Sequence, residues 1–405
     1  MIRQFTVKNF KSIKDEACLD MRAASIHEHD DSLILTRKGE RYLPVSVIYG
    51  PNGGGKSNMI GALKAFIERV TSCYDPTLQT RNDESGIDEI EPYAFARDTL
   101  DLPTEFDVDF RTSYTDYRYT VAFHEGKVVY EFLDYIKPES GRPNAIFERA
   151  EGHLEMKGCF SKLNIPEVFS DYVALIAYLG PMYSSHPIIH DVWEWFRNGT
   201  SVISNGEIDG LSTFVDIYKS SDLIRSRTLD MCKEMDLDIE DVKVVKDSYG
   251  RKKIFTVHSV DGFMAELPLE SESRGTVKLF KLIPLILRSL ELGETLVIDE
   301  LDALLHPVLL EYIVNLYRNP CINRNGAQLI FASHDLSTMR ADLFRRDEIW
   351  FAAKGCNQNT GLYSLVEFKD KNGECPRAEG SYARQYLKGR YGADPYLTKI
   401  IEWER

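Results

Sequence analysis

Eight consecutive residues, Gly50-Pro51-Asn52-Gly53-Gly54-Gly55-Lys56-Ser57, have the spacing G-x-x-x-x-G-K-S. Glycines let successive backbone N–H groups curl around an anion, and a helix starting where such a loop ends adds its positive pole. The lysine reaches the outer phosphates of a nucleoside triphosphate, and the hydroxyl after it can ligate Mg²⁺. Asn52, Gly53, Gly54, Gly55, Lys56, Ser57 and Asn58 therefore read as a phosphate cradle, with ATP and Mg²⁺ as the implied cofactors.

Such a loop carries meaning only between a strand and a helix. The apolar run Val45-Ser46-Val47-Ile48-Tyr49 predicts a buried strand before it, and Asn58 to Ile67 has helical periodicity after it. Two further strands end in chemistry. Thr295-Leu296-Val297-Ile298 runs into Asp299-Glu300, placing one acid to hold Mg²⁺ and a second to act as general base on water. Gln328 to Ala332 runs into Ser333-His334-Asp335, where His334 can hydrogen-bond a γ-phosphate. Ser271-Glu272-Ser273-Arg274-Gly275-Thr276 precedes a helical stretch through Val277, Phe280, Leu282 and Ile286. Ser273 and Gly275 at that helix start form a second anion site, although a plain Ser/Thr N-cap is the commoner use of such residues.

Composition narrows the class. The 405 residues are 43% apolar and 11% aromatic, enough for a substantial core. No apolar run approaches the roughly 20 residues a membrane span needs, and the charged start Met1-Ile2-Arg3-Gln4-Phe5 is unlike a signal peptide. Seven scattered cysteines without a C-x-x-C pair fit a reduced, cytoplasmic protein with no zinc site. Net charge is −14, and residues 81–110 carry ten acids against Arg81 and Arg97. This balance gives nucleic-acid binding no support, without excluding a local basic patch.

Three parts are expected: residues 1–150 as a first lobe with the phosphate loop and antiparallel strands, 151–240 as a helical insertion, and 241–405 as a second lobe. Within the first, strands are predicted near 105–110, 117–123 and 128–133, with a hairpin turn at Glu125-Gly126. Strands return over 240–268 around Tyr249-Gly250-Arg251, and after 276 helix and strand alternate as in a parallel α/β sheet. Two strands near 348–368 and a tail helix from Tyr382 to Tyr391, carrying Arg384, Lys388 and Arg390, complete the reading.

The order of phosphate loop, serine–glycine helix start, acid-tipped strand and strand-end histidine resembles the ATP-binding-cassette class of ATPases, and within it the SMC-like branch. Val7-Lys8-Asn9-Phe10-Lys11-Ser12-Ile13 is similar to that branch's first strand. Leu301-Asp302-Ala303-Leu304-Leu305-His306-Pro307 and Phe344 to Phe351 resemble the overcoming-lysogenization-defect (OLD) family and its RloA-like and PtuA-like defence relatives. The resemblance implies an α/β ABC-type ATPase head with an antiparallel lobe, working as a head-to-head homodimer or higher homo-oligomer. Lys56, Glu300 and His334 would act in cis and Ser273 and Gly275 in trans. It departs from the class at Glu272-Ser273-Arg274-Gly275-Thr276, which replaces Leu-Ser-Gly-Gly-Gln, and Gln79 is the lone Q-loop candidate. With 71 residues after His334 and no D-x-D pair there, a Toprim nuclease domain is not expected. The implied role is the ATPase of an anti-phage system with a separate nuclease or toxin as effector. A RecF-like repair ATPase is the alternative. A transporter subunit fits less well, since 219 residues separate Lys56 from Gly275.

Three weaker patterns compete. His186 and His190 have metal-helix spacing but lack H-E-x-x-H. Arg22 and His27 match an R-x4-H ribonuclease pattern by chance. His27 and His29 beside Asp30 and Asp31 read as a solvated loop.

Overall fold

The computed structural model describes residues 1–36, 38–72, 90–113, 115–137, 141–166, 169–204, 211–246, 252–355, 357–369, 376 and 381–392. Gln79 and the turn at 249–251 lie outside the described residues. The chain begins with β1 (Ile2–Lys8), β2 (Ala17–Asp20), β3 (Ile34–Leu35), β4 (Arg41–Tyr42), β5 (Val45–Tyr49), α1 (Lys56–Thr71) and α2 (Arg97–Leu100). Five strands follow, β6 (Thr104–Arg111), β7 (Asp116–His124), β8 (Lys127–Ile136), β9 (Pro143–Ala150) and β10 (His153–Met156), then α3 (Leu175–Met182), α4 (Pro187–Asn198), β11 (Thr200–Ile203), α5 (Leu211–Tyr218) and α6 (Asp222–Glu234). The remainder is β12 (Asp241–Lys246), β13 (Lys252–Val260), β14 (Phe263–Pro268), α7 (Arg274–Leu292), β15 (Thr295–Ile298), α8 (Pro307–Arg318), β16 (Gln328–Ala332), β17 (Ile349–Lys354), β18 (Thr360–Ser364) and α9 (Tyr382–Leu387).

Among the described residues two large sheets form an α/β fold. One is antiparallel in the order β10-β9-β8-β7-β6-β1-β2. The other runs β11-β15-β16-β5-β17-β18 and is parallel except for β18. Strand β5 is buried along its whole length, as a central parallel strand covered on both faces must be. Its alternate residues divide two cores. Val45, Val47 and Tyr49 pack with α5 to α8, whereas Ile48 joins a core that reaches through α1 into the antiparallel sheet. Phe66 of α1 is the hub of that second core, with ring centroids 5.7 Å from Phe5, 5.6 Å from Phe106 and 5.7 Å from Phe196.

The region 151–240 carries α3 to α6 and also lends strands to both large sheets. Strand β10 extends the antiparallel sheet, and β11 pairs in parallel with β15 at the edge of the other. The four residues of β11 are too short to break a helical pattern in sequence, and only the partner strand makes them a strand. The tail helix is shorter than expected, ending at Leu387 before Gly389 at φ 75°. Its aromatic face packs inward, with Tyr386 stacked on Phe351 at 5.5 Å.

A buried ionic cluster seats β17 beside β5. Arg345, fully buried, pairs with Asp347 at 2.8 Å and Asp30 at 3.0 Å. Glu348 accepts from the Arg345 N–H at 2.9 Å and lies 3.8 Å from Arg318, while its carbonyl receives the Val47 N–H at 2.8 Å. Burial pushes the Glu348 carboxyl up to about 7 from 4.5, with Arg318 opposing. The folded protein thus holds this proton more tightly than the unfolded chain does. Its stabilising contribution is complete below about pH 4.5 and is lost as pH rises through about 7. Urea unfolding of wild type and Glu348→Gln at about pH 5 and about pH 8 should show wild type losing up to about 3 kcal/mol relative to the variant. Parallel pH profiles would contradict this assignment.

Candidate nucleotide site

Parallel pairing delivers three strand ends to one place. Ile48 lies opposite Ala332, and Phe331 opposite Ile298, so β5, β16 and β15 finish side by side. The Ser333 N–H reaches the Ile48 carbonyl at 3.1 Å and the Leu301 N–H reaches the Ala332 carbonyl at 3.2 Å. The phosphate loop, Ser333-His334 and Asp299-Glu300 all leave from this edge, where ligands of parallel α/β sheets bind.

The loop from Gly50 to Gly55 is shaped by close contacts. Gly53 and Gly55 have φ of 73° and 106°, which side-chain-bearing residues rarely adopt. A Cβ on Gly54 would lie 2.7 Å from the Ala352 carbonyl of β17, and one on Gly55 would overlap Thr360 of β18. Lys56 opens α1 with its side chain buried, and Nζ donates to the carbonyls of Gly50 at 2.8 Å and Pro51 at 3.2 Å. Burial pushes its ammonium down to about 8, while the nearby charges of Asp299, Asp302 and Glu300 pull it back up. Ser57, one residue on, is exposed in the first turn of the helix. Asn52 and Gly53 are exposed on the loop. Asn58 uses its amide within the protein, donating to Ser12 Oγ at 2.5 Å.

That bond belongs to a clamp under the loop. Ser12 Oγ and Thr360 Oγ1 are 2.8 Å apart, Thr360 Oγ1 donates to the Gly54 carbonyl at 3.1 Å, and the Thr360 N–H reaches the Ser12 carbonyl at 2.7 Å. Ser12 sits in a turn ordered by Asn9, at φ 55°, whose amide donates to Thr99 and Leu102 carbonyls, both at 2.9 Å.

Asp299 is 2% exposed, and its Oδ1 has no hydrogen-bond partner. A buried carboxylate oxygen left bare is costly unless a cation or a proton meets it. Asp299 and the Ser57 hydroxyl therefore suit a hard divalent cation with oxygen ligands. Glu300 follows at φ 52°, an uncommon conformation for a non-glycine residue. Its turn is held by Lys278 of α7, whose Nζ donates to the carbonyls of Glu300 at 2.8 Å, Leu301 at 3.2 Å and Ala303 at 2.8 Å. Asp302 Oδ2 accepts from the His334 N–H at 3.0 Å, leaving the His334 side chain exposed at the rim.

Ser273 caps α7, accepting from the Thr276 N–H at 3.1 Å. Gly275 packs beside the 300–304 turn, where a Cβ would lie 3.1 Å from the Leu304 carbonyl. Gly275 thus adjoins the acid-bearing turn, and Ser273, two residues earlier, is exposed.

Asp302, Lys278, Ser12 and Thr360 join the site only in three dimensions. Ser12 belongs to the Val7–Ile13 stretch that carries a family resemblance, and Thr360 is joined to it across 348 residues. Lys278 stands in an amphipathic helix like any solvated lysine. The weaker patterns resolve otherwise. His186 occupies the N-cap position of α4 before Pro187 without a side-chain cap bond, His27 bonds Asp30 at 3.0 Å, and His29 reaches the Ala341 carbonyl at 2.8 Å. Arg22 pairs with Asp20 at 2.6 Å. Among the described residues no three His, Cys, Asp or Glu side chains cluster to hold a metal, and no helix is long and apolar enough to cross a membrane.

The sequence profile of the family described as "AAA domain, putative AbiEii toxin, Type IV TA system" matches residues 45–340. The chain belongs to this family. The match starts at the first residue of β5 and ends beyond His334, so it spans the whole loop, α7 and both acid-bearing and histidine-bearing strand ends. The protein thus carries a P-loop ATPase domain, which implies use of a nucleotide. Similar solved structures include an SMC head bound to the C-winged helix domain of ScpA, with 11% identity, TM-score 0.44, and coverage of 90% of this chain and 97% of that one. The SMC head domain from Thermotoga maritima shares 14% identity at TM-score 0.40, covering 90% and 98%. An Smc head with extended coiled coil from Pyrococcus furiosus, bound to the C-terminal domain of ScpA, shares 11% at TM-score 0.38, covering 90% and 96%. No curated protein sequence matches the chain.

The clamp makes a prediction. Thr360→Val keeps the side-chain shape but removes the hydroxyl between Ser12 and Gly54. Fluorescence titration with a labelled ATP analogue should show nucleotide affinity about tenfold weaker, the scale of one lost buried hydrogen bond. Unchanged affinity would mean the clamp does not shape the loop.

Proposed function

We propose that this protein binds ATP with Mg²⁺ and hydrolyses it, two copies closing head to head around two shared sites. The observation that supports the reading most is that the loop with Lys56 follows β5 and Asp299-Glu300 follow β15, the two strands that flank β16, with the charges of Asp299 and Glu300 acting on the Lys56 ammonium. Lys56 and the loop N–H groups hold the phosphates, and Ser57 and Asp299 hold the metal ion. Bound Mg²⁺ would neutralise charge on the outer phosphate oxygens. Glu300 takes the proton of the attacking water. His334 donates to the γ-phosphate from the same copy, and Ser273 with Gly275 approaches it from the other, using the N–H groups at the start of α7.

The cellular role we propose is a cytoplasmic anti-phage ATPase that senses a trigger and works with a separate effector, a nuclease or toxin. The toxin–antitoxin wording of the family description supports this role, as does the OLD-like sequence from Leu301 to Pro307.

Two experiments test the chemistry. Glu300→Gln should keep ATP affinity, slow hydrolysis by roughly 10²–10⁴-fold and accumulate an ATP-bound dimer in size-exclusion chromatography. Loss of ATP affinity in Glu300→Gln but not in Asp299→Asn would reverse the two roles. Ser273→Arg and Lys56→Ala should each be inactive alone, yet mixed dimers should regain ATPase activity, because both lesions then fall in one shared site and leave the other intact. Proven mixed dimers without activity would count against a trans role for Ser273.

A further inference from the structure

The turn that carries Glu300 is bracketed by two non-glycine residues in the left-handed region, Glu300 at φ 52° and Leu304 at φ 65°. Such backbone persists only when its surroundings hold it. The holding group is Lys278. An ammonium has three N–H donors and no acceptor, and the carbonyls of Glu300, Leu301 and Ala303 lie at 2.8, 3.2 and 2.8 Å from Nζ. Lys278 is 8% exposed, so this ammonium has left water for three backbone oxygens of a single turn. Gly275, one turn earlier on α7, lies so close to the same turn that a Cβ there would sit 3.1 Å from the Leu304 carbonyl. On the far side, Asp302 of the same turn holds the His334 backbone. A continuous set of contacts therefore runs from the exposed start of α7 through Lys278 to Glu300 and on to His334. Ser273 and Lys278 are five residues apart on one helix, about 7.5 Å along its axis, and move as one body.

We propose that Lys278 is a positioning residue that couples the two shared sites: when the start of α7 engages the nucleotide of the partner copy, Lys278 sets the orientation of Glu300 in its own copy. The inference rests on the two-copy ATPase reading. Its consequence is that hydrolysis at the two sites is cooperative, and that the cooperativity passes through an ammonium lying outside the phosphate cradle.

The test compares the full-length wild type with Lys278→Met and Lys278→Arg, using steady-state ATPase assays, labelled-ATP binding and hydrogen–deuterium exchange. Lys278→Met should leave ATP affinity within about twofold but lower kcat about 10- to 100-fold, the cost of a catalytic group slightly misplaced. It should also bring the Hill coefficient to about 1, the non-cooperative limit. Amides 300–304 should exchange faster while those of α1 do not. Lys278→Arg, which still donates to carbonyls, should recover part of kcat and of the protection. Wild-type kcat and cooperativity in Lys278→Met would overturn the proposal, as would an equal loss of binding and turnover. If Lys278→Met does not fold, Lys278→Arg decides, and wild-type kcat, Hill coefficient and exchange together in that variant overturn the proposal. Should the wild type not hydrolyse ATP, the functional reading fails, and unchanged exchange at 300–304 in Lys278→Met would separately remove Lys278 as the holder of the turn.

Discussion

Backbone pairing of β16 with β5 on one side and β15 on the other fixes the distances on which the site depends. Parallel strands in register bring their carboxyl ends to one level, and the residues beyond each end share a space. The Ser333-to-Ile48 and Leu301-to-Ala332 bonds continue the ladder past the regular strands. The phosphate loop, the acids and the histidine are thus mutually placed before any side chain contributes. A one-residue slip of β15 would turn Asp299 away and bring a neighbour of the opposite face in its place.

Within this frame each functional group is held by contacts from far along the chain. Gly54 and Gly55 are as small as they must be because β17 and β18 pass directly beneath them. Ser12 and Thr360 tie the first turn of the protein to the last strand of the core sheet, and Thr360 holds the loop at Gly54. Lys278 performs the matching service for the acid turn. In both cases a buried polar group satisfies backbone carbonyls of a turn that cannot satisfy itself, so local unfavourable geometry is offset by tertiary contact. Lys56 belongs to the same pattern, its ammonium directed onto the loop's own carbonyls and depressed by burial.

Much of this was legible in sequence, for a physical reason. Val45 to Tyr49, Thr295 to Ile298 and Gln328 to Ala332 are apolar runs that end abruptly in polar residues, and a central parallel strand leaves that trace. The hairpin at Glu125-Gly126 announced itself through turn chemistry, Glu125 at φ 47° and Gly126 at φ 74°. The supporting residues were not legible. Thr360 and Ser12 meet across the whole chain, and nothing local distinguishes Lys278 from Lys281 on the same helix. Strand β11 has no strand signal of its own in a helical stretch, because its four residues acquire their identity from β15. At Gly275 the sequence suggests anion contact, and the structure adds a second reason for a glycine there, the nearness of the Leu304 carbonyl.

The central claim is that the strand ends assemble one nucleotide–metal site with Asp299 as the metal's carboxylate. Titration calorimetry of ATP into wild type and Asp299→Asn, each with Mg²⁺ and with chelator, measures it most directly. Mg²⁺ should tighten ATP binding to wild type by about tenfold or more, the scale of one charge-assisted contact, and Asp299→Asn should lose most of this gain while still binding ATP. An equal gain in both proteins would contradict it.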